Sequence, residues 1–194
     1  MEDPPEAAAG LADRLLAAAG EILDGQGLDA VTLRAVAQRA GTTTMAVYSR
    51  LGGKDGLMDA LARQGYRLLA REQERALAEP DPTVRLLRMC RAWRTLARDH
   101  PGHFRVMAMR AATTGEEAMA AFLRLVAAAG EVAGMRRAER LARALHALCQ
   151  GVLMLELSGG LPGGRDGGQV LEDGLRWLIA GAFSDAAEPE ASPA

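Results

Sequence analysis

Residues 32–54 read Thr-Leu-Arg-Ala-Val-Ala-Gln-Arg-Ala-Gly-Thr-Thr-Thr-Met-Ala-Val-Tyr-Ser-Arg-Leu-Gly-Gly-Lys and hold Arg34, Arg39, Arg50 and Lys54 without an acid. That is a local charge of +4 in a chain whose formal net charge is −2, so the remaining residues carry −6. A cationic segment on an acidic body is the electrostatic footprint of a phosphate-bearing partner. Spacing within the segment points the same way. Ala37 is small enough for two short helices to cross closely, Gly41 allows the left-handed backbone of a tight turn, and Val47 packs back into the angle, with Val36 and Ala40 as further apolar positions. This is a helix-turn-helix pattern, in which the second helix enters the major groove of DNA. Thr42, Thr43 and Thr44 open that helix with hydroxyls that can reach phosphate or base edges, and Arg34 is long enough for either. Thr32 and Lys54 begin helices, where free N–H groups and the helix dipole favour phosphate.

The other reactive residue types form no comparable pattern. Cys90 and Cys149 lie 59 positions apart without a close partner, so they are expected to be buried reduced thiols and not a disulfide framework or a zinc site. His100, His103 and His146 lack nearby Cys or Glu ligands, so no metal and no cofactor is expected; end-capping or hydrogen bonding is the expected use of these rings. Glu116-Glu117 reads as the charged first turn of a helix. With no Gly-rich phosphate loop, nucleophile elbow or spaced ligand set, no enzyme is expected.

The elements that position these residues are helical. The chain has 194 residues, 49% hydrophobic and 4% aromatic, with 39 Ala and a single Lys among 23 basic residues, a composition that favours helix over sheet. Apolar periodicity predicts helices over 10–25, 33–40, 44–49, 54–78, 83–98, 102–111, 116–130, 137–157 and 168–183. The separators are Gly25 and Gly27, Gly41, Gly52-Gly53, Pro80-Asp81-Pro82, Asp99 to Gly102, Thr113-Thr114-Gly115, Gly134 and Gly159 to Gly168. No credible strand and no run of 18 uncharged apolar residues occurs, and the N-terminus opens on acids, so neither a membrane span nor a secretion signal is expected and the cytoplasm is the default.

Residues 11–61 resemble the N-terminal domain of the tetracycline-repressor (TetR) family of transcriptional regulators. The resemblance rests on the first-helix apolar stripe, Thr32-Leu33-Arg34-Ala35-Val36-Ala37, Ala40-Gly41, and Val47-Tyr48-x-x-Leu51-x-x-Lys54-Asp55-x-Leu57. Where the family usually has Tyr-x-His-Phe, this chain has Tyr48-Ser49-Arg50-Leu51, so that Leu51 keeps the apolar contact and Arg50 takes the phosphate role often given to the His. The resemblance implies that Tyr48 and Lys54 also contact phosphate. It implies an all-α fold with a three-helix DNA-binding domain over 1–60 and a helical bundle over 61–185 that binds an effector and dimerises; the Ala/Glu/Pro-rich composition of the last residues separately predicts a disordered tail over 186–194. Asp99-His100-Pro101-Gly102-x-Phe104-Arg105-x-Met107 together with His146-x3-Gln150-Gly151 is similar to the WHG-type C-terminal domain, with His146 in place of its Trp and Gln150 in place of its His.

Flexible thioethers beside aromatics can line an adaptable pocket, so Met89, Trp93, Phe104, Met107, Phe122, His146, Gln150 and Met154 are the expected lining for an unidentified, largely apolar small-molecule effector. Ordinary core filling is the competing use of each. Arg85, Arg88, Arg91, Arg94 and Arg98 share a helix without an acid; pairing to Glu72, Glu74 or Glu79 is expected, with Arg94 selecting an anionic ligand as the alternative. Leu148, Val152, Leu155, Leu171, Leu175 and Leu178 form stripes suited to a four-helix homodimer interface or to an internal core. The expected function is a ligand-responsive repressor that binds a palindromic double-stranded operator as a homodimer. The alternative is an architectural or protein-interaction module without an effector.

Overall fold

A computed structural model of the protein describes residues 5–110, 115–161 and 166–184. The described residues form the α-helices α1 (Pro5–Gln26), α2 (Leu33–Arg39), α3 (Thr44–Leu51), α4 (Gly53–Ala76), α5 (Pro82–Asp99), α6 (Pro101–Arg110), α7 (Gly115–Ala133), α8 (Met135–Ser158) and α9 (Gly167–Ser184), with a 3-10 turn at Leu28–Ala30. No strand occurs among them. The nine expected helices are all present, with ends displaced by a few residues. The largest displacement is at α1, which begins at Pro5, a residue suited to the first helical turn because its missing N–H would be unpaired there anyway. Pro82 and Pro101 open α5 and α6 in the same way, and the Asp81 carboxylate caps α5 by accepting from the Val84 N–H at 2.9 Å. The expected separator at Thr113-Thr114 and the tail over 186–194 lie outside the described residues.

Packing divides the chain into two compact units: Met1–Leu68 with Leu96–Ala118, and Leu69–Thr95 with Met119–Ala194. The division after residue 60 expected from the sequence is one of role. The packing boundary differs because α4 runs unbroken past that point and α6 belongs with α1.

In the first unit α1 packs on α2, α3 and α6. Leu15, Ala19, Ile22 and Leu23 of α1, Val36 and Ala37 of α2, Val47 of α3, Leu57 and Leu61 of α4 and Val106 of α6 form one buried cluster. Long helices thus supply the apolar faces on which α2 and α3, too short to be stable alone, are assembled. In the second unit α8 packs along α9, and Leu141, Leu145, Cys149 and Val152 of α8 are buried with Leu171, Leu175 and Ile179 of α9. Cys90 and Cys149 are buried free thiols, with Cys149 Sγ 3.9 Å from the Cys90 carbonyl oxygen. Hydrogen bonding between the two thiols and burial push the Cys90 thiol well above its ordinary range, which leaves it an uncharged small apolar residue. No helix of the described residues is long and apolar enough to cross a membrane.

Candidate nucleic-acid interface

Two threonines set the helix-turn-helix. Thr32 caps α2, its Oγ1 accepting from the Ala35 N–H at 3.1 Å, and Thr43 caps α3, its Oγ1 accepting from the Ala46 N–H at 3.3 Å. Within the threonine run, therefore, Thr43 is the cap, the exposed Thr44 is the first helical residue, and the half-buried Thr42 sits in the turn with its N–H bonded to the Ala37 carbonyl at 2.9 Å. Gly41 has φ +66°, the left-handed conformation that its place in the turn requires. Ala37 and Val47 are buried as the two sides of the helix crossing.

The corner between α3 and α4 is made by a close backbone approach. Gly52 and Gly53 are both left-handed, with φ +74° and +78°, and the Tyr48 ring lies so near Gly53 that a Cβ there would stand 2.9 Å from Tyr48 Cε1. Tyr48 is nonetheless 58% exposed. A Cβ on Gly56 would fall 1.6 Å from the Leu51 carbonyl oxygen, so the end of α3 rests directly on the first turn of α4. The Lys54 ammonium donates to the Val31 carbonyl, tying the start of α4 to the residue before the α2 cap, and has two further N–H groups to offer. Arg110 at the end of α6 holds the same turn, donating to Asp59 at 2.7 Å and to Asp55 at 3.4 Å.

Thr32, Arg34, Thr44, Tyr48, Arg50 and Lys54 are exposed on this short stretch of three helices. Arg39 is drawn away from the expected cationic group, since its guanidinium pairs with Glu21 of α1 at 2.7 Å. Arg34, Arg50 and Lys54 are the other exposed cations along the stretch. Gly56 and Arg110 are positioning residues that the motif spacing does not single out. Gly56 carried a usable signal, because glycine inside a helix costs about 1 kcal/mol against alanine and calls for a reason; Arg110 carried none, since Asp59 lies 51 residues upstream.

The expected effector residues divide between the units. Met89, Trp93, Phe122, His146, Gln150 and Met154 belong to the second, whereas Phe104 and Met107 belong to the first. Met107 reaches α4 there: a Cβ on Gly65 would lie 2.4 Å from its Sδ, so Met107 fills a groove that glycine leaves open. In the second unit the His146 ring meets Trp93 edge to face, 5.0 Å between centroids, with Phe122 at 6.4 Å and the Arg143 guanidinium 5.2 Å from the Phe122 centroid. Burial holds His146 below the usual histidine range, which keeps the ring neutral near pH 7. Met89 is buried and Met154 is 37% exposed.

Arg94 donates to Glu156 at 3.4 Å and Asp166 at 3.2 Å, so its charge is paired within the chain. The other arginines of α5 are paired as well, Arg85 with Glu131 at 2.8 Å, Arg88 with Glu79 at 2.8 Å, Arg91 with Glu172 at 2.6 Å and Arg98 with Asp99 at 2.8 Å. Of the expected acids only Glu79 takes part with them; Glu72 pairs with Arg75 and Glu74 with Arg124. Among the expected dimer residues, Leu171 and Leu175 are 0% exposed in the single chain and have no area left to bury against a partner. Val152 is also buried, and Leu148 is pressed on Gly174 of α9, where a Cβ would meet it at 2.8 Å. Leu155 is 45% exposed, and Leu178 keeps accessible surface beside Trp177, which is 74% exposed.

Residues 15–61 match the family described as bacterial regulatory proteins, tetR family, and residues 86–180 match the tetracyclin repressor-like C-terminal domain. The chain belongs to the TetR family. It is a DNA-binding transcriptional regulator of that family and not an enzyme. Among solved structures, apo ActR from Streptomyces coelicolor is similar at 22% identity and TM-score 0.73, with 90% of this chain and 95% of that chain covered. The same ActR in complex with (S)-DNPA gives 22% identity and TM-score 0.73, covering 90% and 97%. A TetR variant from Acinetobacter baumannii AYE in complex with minocycline gives 26% identity and TM-score 0.70, again covering 90% and 97%. No curated protein matches the chain.

Proposed function

We propose that this TetR-family regulator is a cytoplasmic, homodimeric repressor that recognises a palindromic operator and releases it when a small molecule binds the second unit. The observation that carries the reading is the capped α2–α3 pair with Arg34, Thr44, Tyr48, Arg50 and Lys54 exposed along it. Cations and hydroxyls on phosphates fix register, while Arg34 and Thr44 are placed to address base edges. Thr32, Thr42 and Thr43 support that surface, two of them by holding the helix starts with their hydroxyl oxygens.

Effector control is favoured by the relatives solved with (S)-DNPA and with minocycline. Trp93, Phe122 and a neutral His146 offer flat apolar faces and one polar ring edge, which suits a largely apolar, aromatic molecule. Helix α4 is the coupling element, because it is one continuous helix contributing to both units. An effector that binds one spacing of the two recognition helices better than the other shifts operator affinity by that difference. The dimer is assigned to the face of α8 and α9 that carries Trp177 and Leu178, with Leu141, Ala144, Arg137 and Arg140 beside it. A second copy about a two-fold axis covers such a face and sets half-sites about 34–36 Å apart.

Selection of genomic DNA fragments by the purified full chain at about 150 mM salt, where non-specific phosphate binding is weak, tests this. Recovery of an imperfect palindrome is expected. A folded protein that recovers no shared motif overturns the operator assignment.

A further inference from the structure

We propose that Asp24, His100 and His103 form a binding site for a divalent transition-metal ion of the zinc class, joining the C-terminal end of α1 to the first turn of α6. One ligand atom from each residue lies within 4.8 Å of the others. His103 Nδ1 is 3.2 Å from Asp24 Oδ1, and His100 Nδ1 is 3.3 Å from Asp24 Oδ2. With zinc–ligand bonds of about 2.0–2.1 Å, neighbouring ligands of a tetrahedron stand about 3.3–3.4 Å apart. Each ring nitrogen already stands at that spacing from one Asp24 oxygen, the two rings from different oxygens, so a rotation of the partly exposed carboxylate and a closing of the two rings completes the set.

The surroundings are built to keep the three residues together. Pro101 starts α6, which places His100 just before the helix and His103 in its first turn. A Cβ on Gly102 would lie 2.5 Å from Leu23 Cγ and 3.1 Å from the Leu23 carbonyl, so only glycine lets the start of α6 come this close to the residue preceding Asp24. His103 is buried, and its second ring nitrogen, Nε2, is 3.2 Å from Gln64 Oε1 of α4. That is the outer-shell hydrogen bond that fixes a ligating histidine in the tautomer with its proton on Nε2 and its lone pair on Nδ1. Without an ion, the same tautomer aims a lone pair at a carboxylate oxygen. A doubly protonated ring would donate to both oxygens and have no lone pair left for an ion.

Two imidazoles and one carboxylate suit zinc, nickel or cobalt. Calcium and magnesium take all-oxygen shells and copper(I) prefers sulfur. Asp24 and His100 are about a third exposed, so an ion has an entry path and a water can complete the shell. Binding replaces two N···O contacts with three coordination bonds, each ring retaining one proton on Nε2. Because α1 also packs on α2 and α3, an ion held here stiffens the support of the recognition helix.

The alternative arrangement turns the Gln64 amide end for end, so that its NH2 donates to Nε2 and His103 Nδ1–H donates to Asp24; it takes no ion. Untagged full chain, freed of metal by chelation, is titrated with zinc chloride by calorimetry and with cobalt chloride by visible absorption. The expected result is one ion per chain and the ligand-field bands of four-coordinate cobalt. Asp24→Asn and His100→Ala, at partly exposed positions where the fold is checked by circular dichroism, abolish binding; Gln64→Leu weakens it about tenfold. Absence of stoichiometric binding to the folded protein, or binding that survives both Asp24→Asn and His100→Ala, overturns the site.

Discussion

Gly56→Ala isolates the corner on which the orientation of the recognition helix depends. On helix propensity alone, alanine in place of glycine inside α4 stabilises by about 1 kcal/mol. The structure opposes this, because the new Cβ would fall 1.6 Å from the Leu51 carbonyl oxygen and 2.8 Å from its carbon, both backbone atoms at the end of α3. Forcing an extra methyl into a filled site costs about 1–3 kcal/mol, and a fixed carbonyl places this case at or above the upper end. The net expectation is destabilisation of about 2 kcal/mol, equivalent to a fall in Tm of about 4–8 °C for a chain of this size. Thermal unfolding followed by circular dichroism reads it, with Gly151→Ala as the comparison, since that exposed glycine of α8 has nothing within 4 Å of its Cβ position. Gly151→Ala is expected to raise Tm. Operator binding by Gly56→Ala at a temperature where it is fully folded is expected to be weaker as well, because α3 must move on α4. A Gly56→Ala protein with Tm equal to or above the wild type would refute the close approach and the role assigned to the corner.

Arg34→Ala removes an exposed side chain whose guanidinium holds up no neighbouring element, so stability stays within about 0.5 kcal/mol. Operator affinity falls, and if Arg34 binds phosphate the slope of log K against log salt becomes shallower by about one. Thr43→Val deletes the α3 cap and costs about 1 kcal/mol in urea unfolding, whereas Thr43→Ser retains it. His146 is held below the usual histidine range by burial, so the unfolded chain binds more protons than the folded one and stability falls as pH drops through about 6.5, levelling off below the folded value. His146→Phe flattens that fall in unfolding measurements between about pH 7 and pH 5, and an unchanged profile would contradict the shift. Trp177→Glu places a charge on the exposed face of α9 and is expected to shift sedimentation toward monomer without lowering helicity.

The helices were legible because each needs only local information: apolar residues at helical spacing, a threonine suited to a helix start, and Gly- or Pro-containing separators between them. The turn of the DNA-binding unit was legible for the same reason, with Gly41 left-handed and Ala37 and Val47 buried where their sizes require. Partners distant in sequence were not. Asp24 gave no sign that it faces His100 and His103, and the acids that neutralise Arg91 and Arg94 sit on α8, on α9 and before α9. Leu171 and Leu175 show a further limit: an apolar stripe reads the same whether it faces the chain's own α8 or a second subunit. The Thr42-Thr43-Thr44 run could place a helix start, but which hydroxyl becomes the cap depends on the turn closing at Gly41.

A hydroxyl-radical footprint of the full-length protein on a DNA fragment it has selected, made alongside Arg34→Ala and Lys54→Ala, tests the DNA-reading surface without intermediate steps. Two protected half-sites about one helical turn apart and related by two-fold symmetry are expected. Arg34→Ala is expected to need a higher protein concentration to produce them while remaining dimeric, and Lys54→Ala to do the same. Protection without symmetry or sequence preference, or footprints from both variants at wild-type concentrations, would contradict the assignment of α2, α3 and the start of α4 as the surface that reads DNA.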